Sequence, residues 1–112
     1  MADVGSSRHD ALTVDVRDED GTVVVGLSGE LDMTGVVKMR AALDAALGGH
    51  PRRLVLDASG LNYMDSSGIA LLILLTHKAQ EVQVRNPTPI VRQLIEMTGL
   101  SEILHVTDEN QP

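Results

Sequence analysis

The stretch LVLDASGLNYMDSSGIALLILLTHK, residues 54–78, decides the fold. It opens on Leu54-Val55-Leu56, a short apolar run without alternation, which predicts a central parallel strand covered on both faces. Asp57-Ala58-Ser59-Gly60 follows and reads as a turn, since these residue types favour local side-chain hydrogen bonds and tight backbone geometry. Asp65-Ser66-Ser67 then starts a helix, because Asp and Ser oxygens accept the unpaired N–H groups of a first turn. The run from Ile69 to Leu75 is apolar on all sides. Its periodicity alone also allows a strand. The Ser cap and the Leu/Ala content select a deeply buried helix running to about Lys78.

The rest of the chain extends this unit in both directions. Upstream, Leu12, Val14 and Val16 alternate with Thr13, Asp15 and Arg17, the pattern of a half-buried strand. Asp20-Gly21 marks a hairpin turn into a second strand of Val23, Val24, Val25 and Leu27, which ends at Gly29-Glu30-Leu31-Asp32. A helix fits Met33 to Leu47, with Val36, Met39, Leu43, Ala46 and Leu47 near one face, and Gly48-Gly49 and Pro51 stop it. Downstream, Val82 and Val84 give a fourth strand, broken by Asn86-Pro87. Thr88 caps a third helix with Pro89 at its first position. Ile90, Leu94 and Met97 form its expected inner face, with Val91 and Ile95 alongside, and Gly99 ends it. Ile103 to Val106 is the expected last strand. The order β-β-α-β-α-β-α-β contains three β-α-β units, so an α/β domain with a mixed, mostly parallel sheet and right-handed crossovers follows. Residues 1–10 read as a loose polar tail, 11–106 as the domain and 107–112 as a polar tail.

Composition narrows the function. With 112 residues and 43% apolar content, the chain is one domain with a real core. Tyr63 is the sole aromatic residue, which removes a base-stacking platform. A net charge of −7 repels phosphate backbones and anionic lipid, so neither direct nucleic-acid binding nor membrane insertion is expected. The chain has no Cys and no secretory signal, and its longest apolar run is too short to span a bilayer; a cytoplasmic location is expected. His9, His50, His77 and His105 show no metal-ligand spacing, so no metal is expected. Phosphate loops and a G-x-S-x-G elbow are missing, so no cofactor and no catalytic residue is assigned and the protein is not expected to be an enzyme. Asp57 is placed like the acceptor of a receiver domain, but the paired acidic residues that would hold Mg²⁺ are missing. What is left is Asp65-Ser66-Ser67-Gly68. On its local pattern it reads first as a helix cap with a close-packed glycine. Its other reading is a modifiable hydroxyl, exposed at a helix start whose dipole tolerates a phosphate dianion.

Met64-Asp65-Ser66-Ser67-Gly68-Ile69 resembles the phosphorylation motif of the anti-sigma factor antagonists, a STAS-domain family. Gly29-Glu30-Leu31-Asp32 is similar to that family's segment after the second strand, and Asn86 to Val91 with Met97-Thr98-Gly99-Leu100 to its third-helix region. The resemblance implies a STAS-like fold and a non-catalytic, partner-switching regulator. Unphosphorylated, such a protein binds an anti-sigma factor that is also a GHKL-type serine kinase, and this frees a sigma factor. Phosphorylation at Ser66 lowers the affinity, and a PP2C-type phosphatase resets the switch. Ser67 is the secondary acceptor candidate and more simply a cap; Asp32, Asp65, Ser67 and Gly68 border the implied binding surface. The alternative is a soluble STAS subunit of a lipid ABC-type transporter, which needs no kinase substrate. Against the family pattern the stretch from Ser67 to Pro87 is several residues short, which predicts a second helix shorter by about a turn. Gly35 stands where a small hydroxyl or alanine-type residue is expected, and no C-terminal helix, or a mere turn, is expected after the last strand.

Overall fold

The computed structural model describes residues 10–108. The elements are β1 (Thr13–Glu19), β2 (Thr22–Leu31), α1 (Met33–Leu47), β3 (Arg53–Met64), α2 (Ser66–Lys78), β4 (Glu81–Arg85), α3 (Pro89–Met97), a 3₁₀ turn (Leu100–Glu102) and β5 (His105–Thr107). The strands lie in the order β1-β2-β3-β4-β5. β1 and β2 are antiparallel, and every later neighbour is parallel. The hairpin turns on Asp20 and Gly21, at φ 54° and 88°, the left-handed pair that matches strand twist. The Arg52 guanidinium clamps this hairpin to α1: it donates to Gly21 O, Ala46 O and the Asp18 carboxylate. That hydrogen bond holds the Asp18 carboxyl below its ordinary value.

All three helices share one apolar cluster with one face of the sheet. Met39, Leu43 and Leu47 of α1, Leu71, Leu72 and Leu75 of α2, and Val91 and Ile95 of α3 meet Val23, Val25, Leu54, Leu56, Val82 and Val84. The domain therefore has two layers, and the expectation that β3 is covered on both faces is corrected. On the open face Val24 and Val55 are buried instead beneath a shallow groove of about 310 Å³ walled by Glu19, Arg53, Glu81 and Arg85. Long polar side chains cover apolar atoms with their stems while their charged heads stay wet.

Three other expectations change for physical reasons. The turn expected at Asp57–Gly60 is strand: β3 continues to Met64 because β2 also continues to Leu31 and pairs with it. Asp57 does make the local bonds of a turn, to the N–H and hydroxyl of Ser59, and the ladder absorbs them as register shifts at Gly26/Ser28 and Gly29/Glu30. Gly29 sits at φ 97° with Ala11 O 2.5 Å from where a Cβ would be, so no side chain fits this irregularity. α2 spans the expected residues but is not buried all round: Ala70 and Ile73 face solvent, because no second helix layer covers them. On α3 the inner stripe is Val91 and Ile95, whereas Ile90 and Met97 are 47% and 73% exposed. Both stripes are apolar in sequence, and the distal half of β3, through Ala58 and Leu61, selects the 91/95 pair.

β5 begins at His105, two residues later than expected, since Leu100–Glu102 coil into the 3₁₀ turn and Ile103 is exposed. Asp108, assigned from sequence to the polar tail, folds back to accept from Arg92 at 2.5 and 2.6 Å.

Candidate functional site

The candidate site is built from two helix starts at one end of the sheet. Leu31 and Met64 are paired across β2 and β3, and each is followed by an aspartate that caps the next helix. Asp32 accepts from Gly35 N at 2.9 Å, and its carbonyl accepts from Val36 N at 2.8 Å. Asp65 accepts from Ser67 N at 2.9 Å and Gly68 N at 3.4 Å, and its carbonyl accepts from Ile69 N at 3.1 Å. Asp65 N in turn donates to Leu31 O at 3.4 Å, which ties the two starts together. The sequence repeats the geometry: Asp32-Met33-Thr34-Gly35 on α1 stands beside Asp65-Ser66-Ser67-Gly68 on α2.

Both glycines allow this close approach. A Cβ on Gly68 would lie 2.6 Å from Met64 Cγ and 3.0 Å from Leu31 O. A Cβ on Gly35 would lie 2.7 Å from Glu30 O, which is why glycine replaces the expected small side chain there. Gly68 is buried, and its missing side chain lets the start of α2 pack against Met64 and Leu31.

The two serines differ in what they touch. The Ser67 hydroxyl donates to Asp65 Oδ1, and this bond, with the backbone N–H groups, holds the Asp65 carboxyl below the ordinary aspartate value. Ser66, at the first helical position, is exposed. Asp32, Asp65 and Ser67 are half-buried. A phosphate on Ser66 would therefore stand at a helix start already occupied by a carboxylate.

Sequence reasoning missed the apolar surroundings of the site. Met33 and Val37 of α1 are 74% and 70% exposed, and Tyr63 is also exposed beside Met64. The signal was available, since both α1 residues fall off the Met39/Leu43/Leu47 stripe and have no core to enter. Thr88 occupies the N-cap position of α3 but makes no side-chain cap bond; its hydroxyl donates to Leu61 O at 2.7 Å instead. Among the described residues no group of three or more His, Asp or Glu side chains is placed to hold a metal ion, and no helix is long and apolar enough to cross a membrane. His50, His77 and His105 are exposed; His9 lies outside the described residues.

The fold and this site define a class. The sequence profile of the family described as "Mlab, STAS domain" matches residues 14–106. The chain is 31% identical over 102 residues, 87% of each chain, to an anti-sigma F factor antagonist of Paenibacillus polymyxa. The crystal structure of an anti-sigma factor antagonist from Mycobacterium paratuberculosis matches with a TM-score of 0.78 at 30% identity, covering 87% of this chain and 86% of that one. The antagonist SpoIIAA also matches, in its unphosphorylated form (TM-score 0.68, 28% identity, 88% and 90% covered) and in the phosphorylated Bacillus form (0.65, 26%, 88% and 93%). The chain belongs to the STAS-domain family. Within that family it groups with the anti-sigma factor antagonists, which are regulatory binding proteins rather than enzymes.

Proposed function

We propose that this protein is an anti-sigma factor antagonist switched by phosphorylation of Ser66. Unphosphorylated, it binds in the cytoplasm to an anti-sigma factor that is also a GHKL-type serine kinase, and so frees a sigma factor. The kinase phosphorylates Ser66, the complex weakens, and a PP2C-type phosphatase restores the binding form. The observation that carries this reading is the division of labour in the motif: Ser67 is tied to Asp65, whereas Ser66 is exposed at the helix start. That a relative of this fold is known in a phosphorylated form supports it. Asp32 and Asp65 supply the polar part of the partner surface, and Met33 and Val37 its apolar part.

Charge alone gives a switch of useful size. Two unit charges at ~5 Å and an effective dielectric of ~20 interact by about 3 kcal/mol. A phosphate carries about −1.5 to −2, and each 1.4 kcal/mol is about tenfold in affinity. Helix geometry need not change, because a dianion at a helix start is tolerated by the dipole. The test is phosphosite mapping by mass spectrometry of the protein from its native cells. Phosphate on Ser66, lost in Ser66→Ala, is expected; phosphate confined to another residue would overturn the assignment.

A further inference from the structure

β3 is far longer than its neighbour β4, and the segment that carries the site lies in the excess. The β3–β4 ladder runs from Arg53↔Glu81 to Asp57↔Arg85 and stops there. Beyond Asp57, β3 pairs only with β2, through the stretch that contains both register shifts. The second edge of this stretch therefore carries backbone groups that no β4 residue pairs. Something other than β4 has to hold this stretch on its second edge.

Thr88 is placed to do so. Its hydroxyl donates at 2.7 Å to the carbonyl of Leu61, three residues before Met64. It does so at the expense of its own helix, where it makes no side-chain cap bond. Pro89 follows it at the first helical position, where its fixed φ suits a helix start without a side-chain cap. Leu61 itself is buried, so its carbonyl has little access to water as a replacement partner.

We infer that Thr88 is a positioning residue for the acceptor segment: its hydroxyl substitutes for the missing β4 pairing and fixes the end of β3, and with it the Asp65–Gly68 start of α2. The functional weight of this inference rests on the reading of Ser66 as acceptor, whereas the positioning itself is measured on the protein alone.

The experiment is amide hydrogen exchange by NMR on the full chain, comparing wild type, Thr88→Val and Thr88→Ser. The amides of Ser67 and Gly68, which donate to Asp65, report the α2 start. Val36, which donates to Asp32 O at the equivalent turn of α1, is the internal control. Thr88→Val is expected to speed exchange at Ser67 and Gly68 by about tenfold to a hundredfold, with Val36 unchanged. It is also expected to move the Asp65 titration midpoint up toward the ordinary value while that of Asp18 stays put. Thr88→Ser should restore wild-type behaviour in both readouts. Equal acceleration at Val36, or no acceleration anywhere, would overturn the inference and leave Thr88 an ordinary packing residue. If Thr88→Val does not fold, Thr88→Ala is read by the same amides with the same two outcomes. Phosphosite mapping away from Ser66 would sink the switch reading and leave the exchange result standing, so the two failures are distinguishable.

Discussion

Ser66 and Ser67 are adjacent hydroxyls, and one carboxylate separates their chemistry. Because Ser67 and two backbone N–H groups stabilise ionised Asp65, its folded pKa lies below the ordinary 3.8. A depressed carboxylate pKa contributes stability that is present above the unfolded value and is lost as pH falls through the folded one. Ser67→Ala is therefore expected to raise the Asp65 midpoint, read by NMR titration, and to make acid unfolding begin at higher pH. The exposed Ser66 hydroxyl takes no part in the Asp65 cap, so Ser66→Ala should change stability by less than about 0.5 kcal/mol in urea unfolding. Gly68→Ala behaves differently. Its methyl would press on Met64 and on the Leu31 backbone, so a loss of about 1–3 kcal/mol in the same assay is expected.

At the scale of elements, α2 was legible in sequence because Asp65 and the Ser pair announce its start and the Leu run its length. α1 was legible to the residue from the helical spacing of its apolar residues and its Gly48-Gly49 stop. Illegible was whatever depends on a neighbour. The extension of β3 through Asp57–Gly60 requires β2 beside it, and the choice between the Val91 and Ile90 stripes of α3 requires the distal part of β3. The solvent face of α2 requires knowing that helices cover only one side of the sheet. In the site, Asp32, Asp65 and the two serines were readable from motif, whereas the only signal for Met33 and Val37 was that they fall off the Met39/Leu43/Leu47 stripe of α1. Their exposure leads to a prediction at this scale. Met33→Glu and Val37→Glu should weaken partner binding by about tenfold or more, measured by calorimetry, while the urea midpoint stays within error of wild type.

For the molecule as a whole, the two-layer architecture leaves one sheet face polar and gathers the two Asp-capped helix starts at one end of the other layer. With a net charge of −7 and two carboxylates at the helix starts, a Ser66 phosphate would add to negative charge already present, so its effect on partner binding should shrink as salt screens it. The central claim is that charge at Ser66 decides whether the partner is held. The most direct measurement is a pull-down from native-cell lysate with wild type, Ser66→Ala and Ser66→Asp as baits, read by mass spectrometry. Retention of a GHKL-type serine kinase by the first two baits and its loss with Ser66→Asp is the expected result. Equal retention of that kinase by all three, or retention of lipid-transporter subunits by all three, would contradict the switch and return Ser66 to an ordinary first-turn residue.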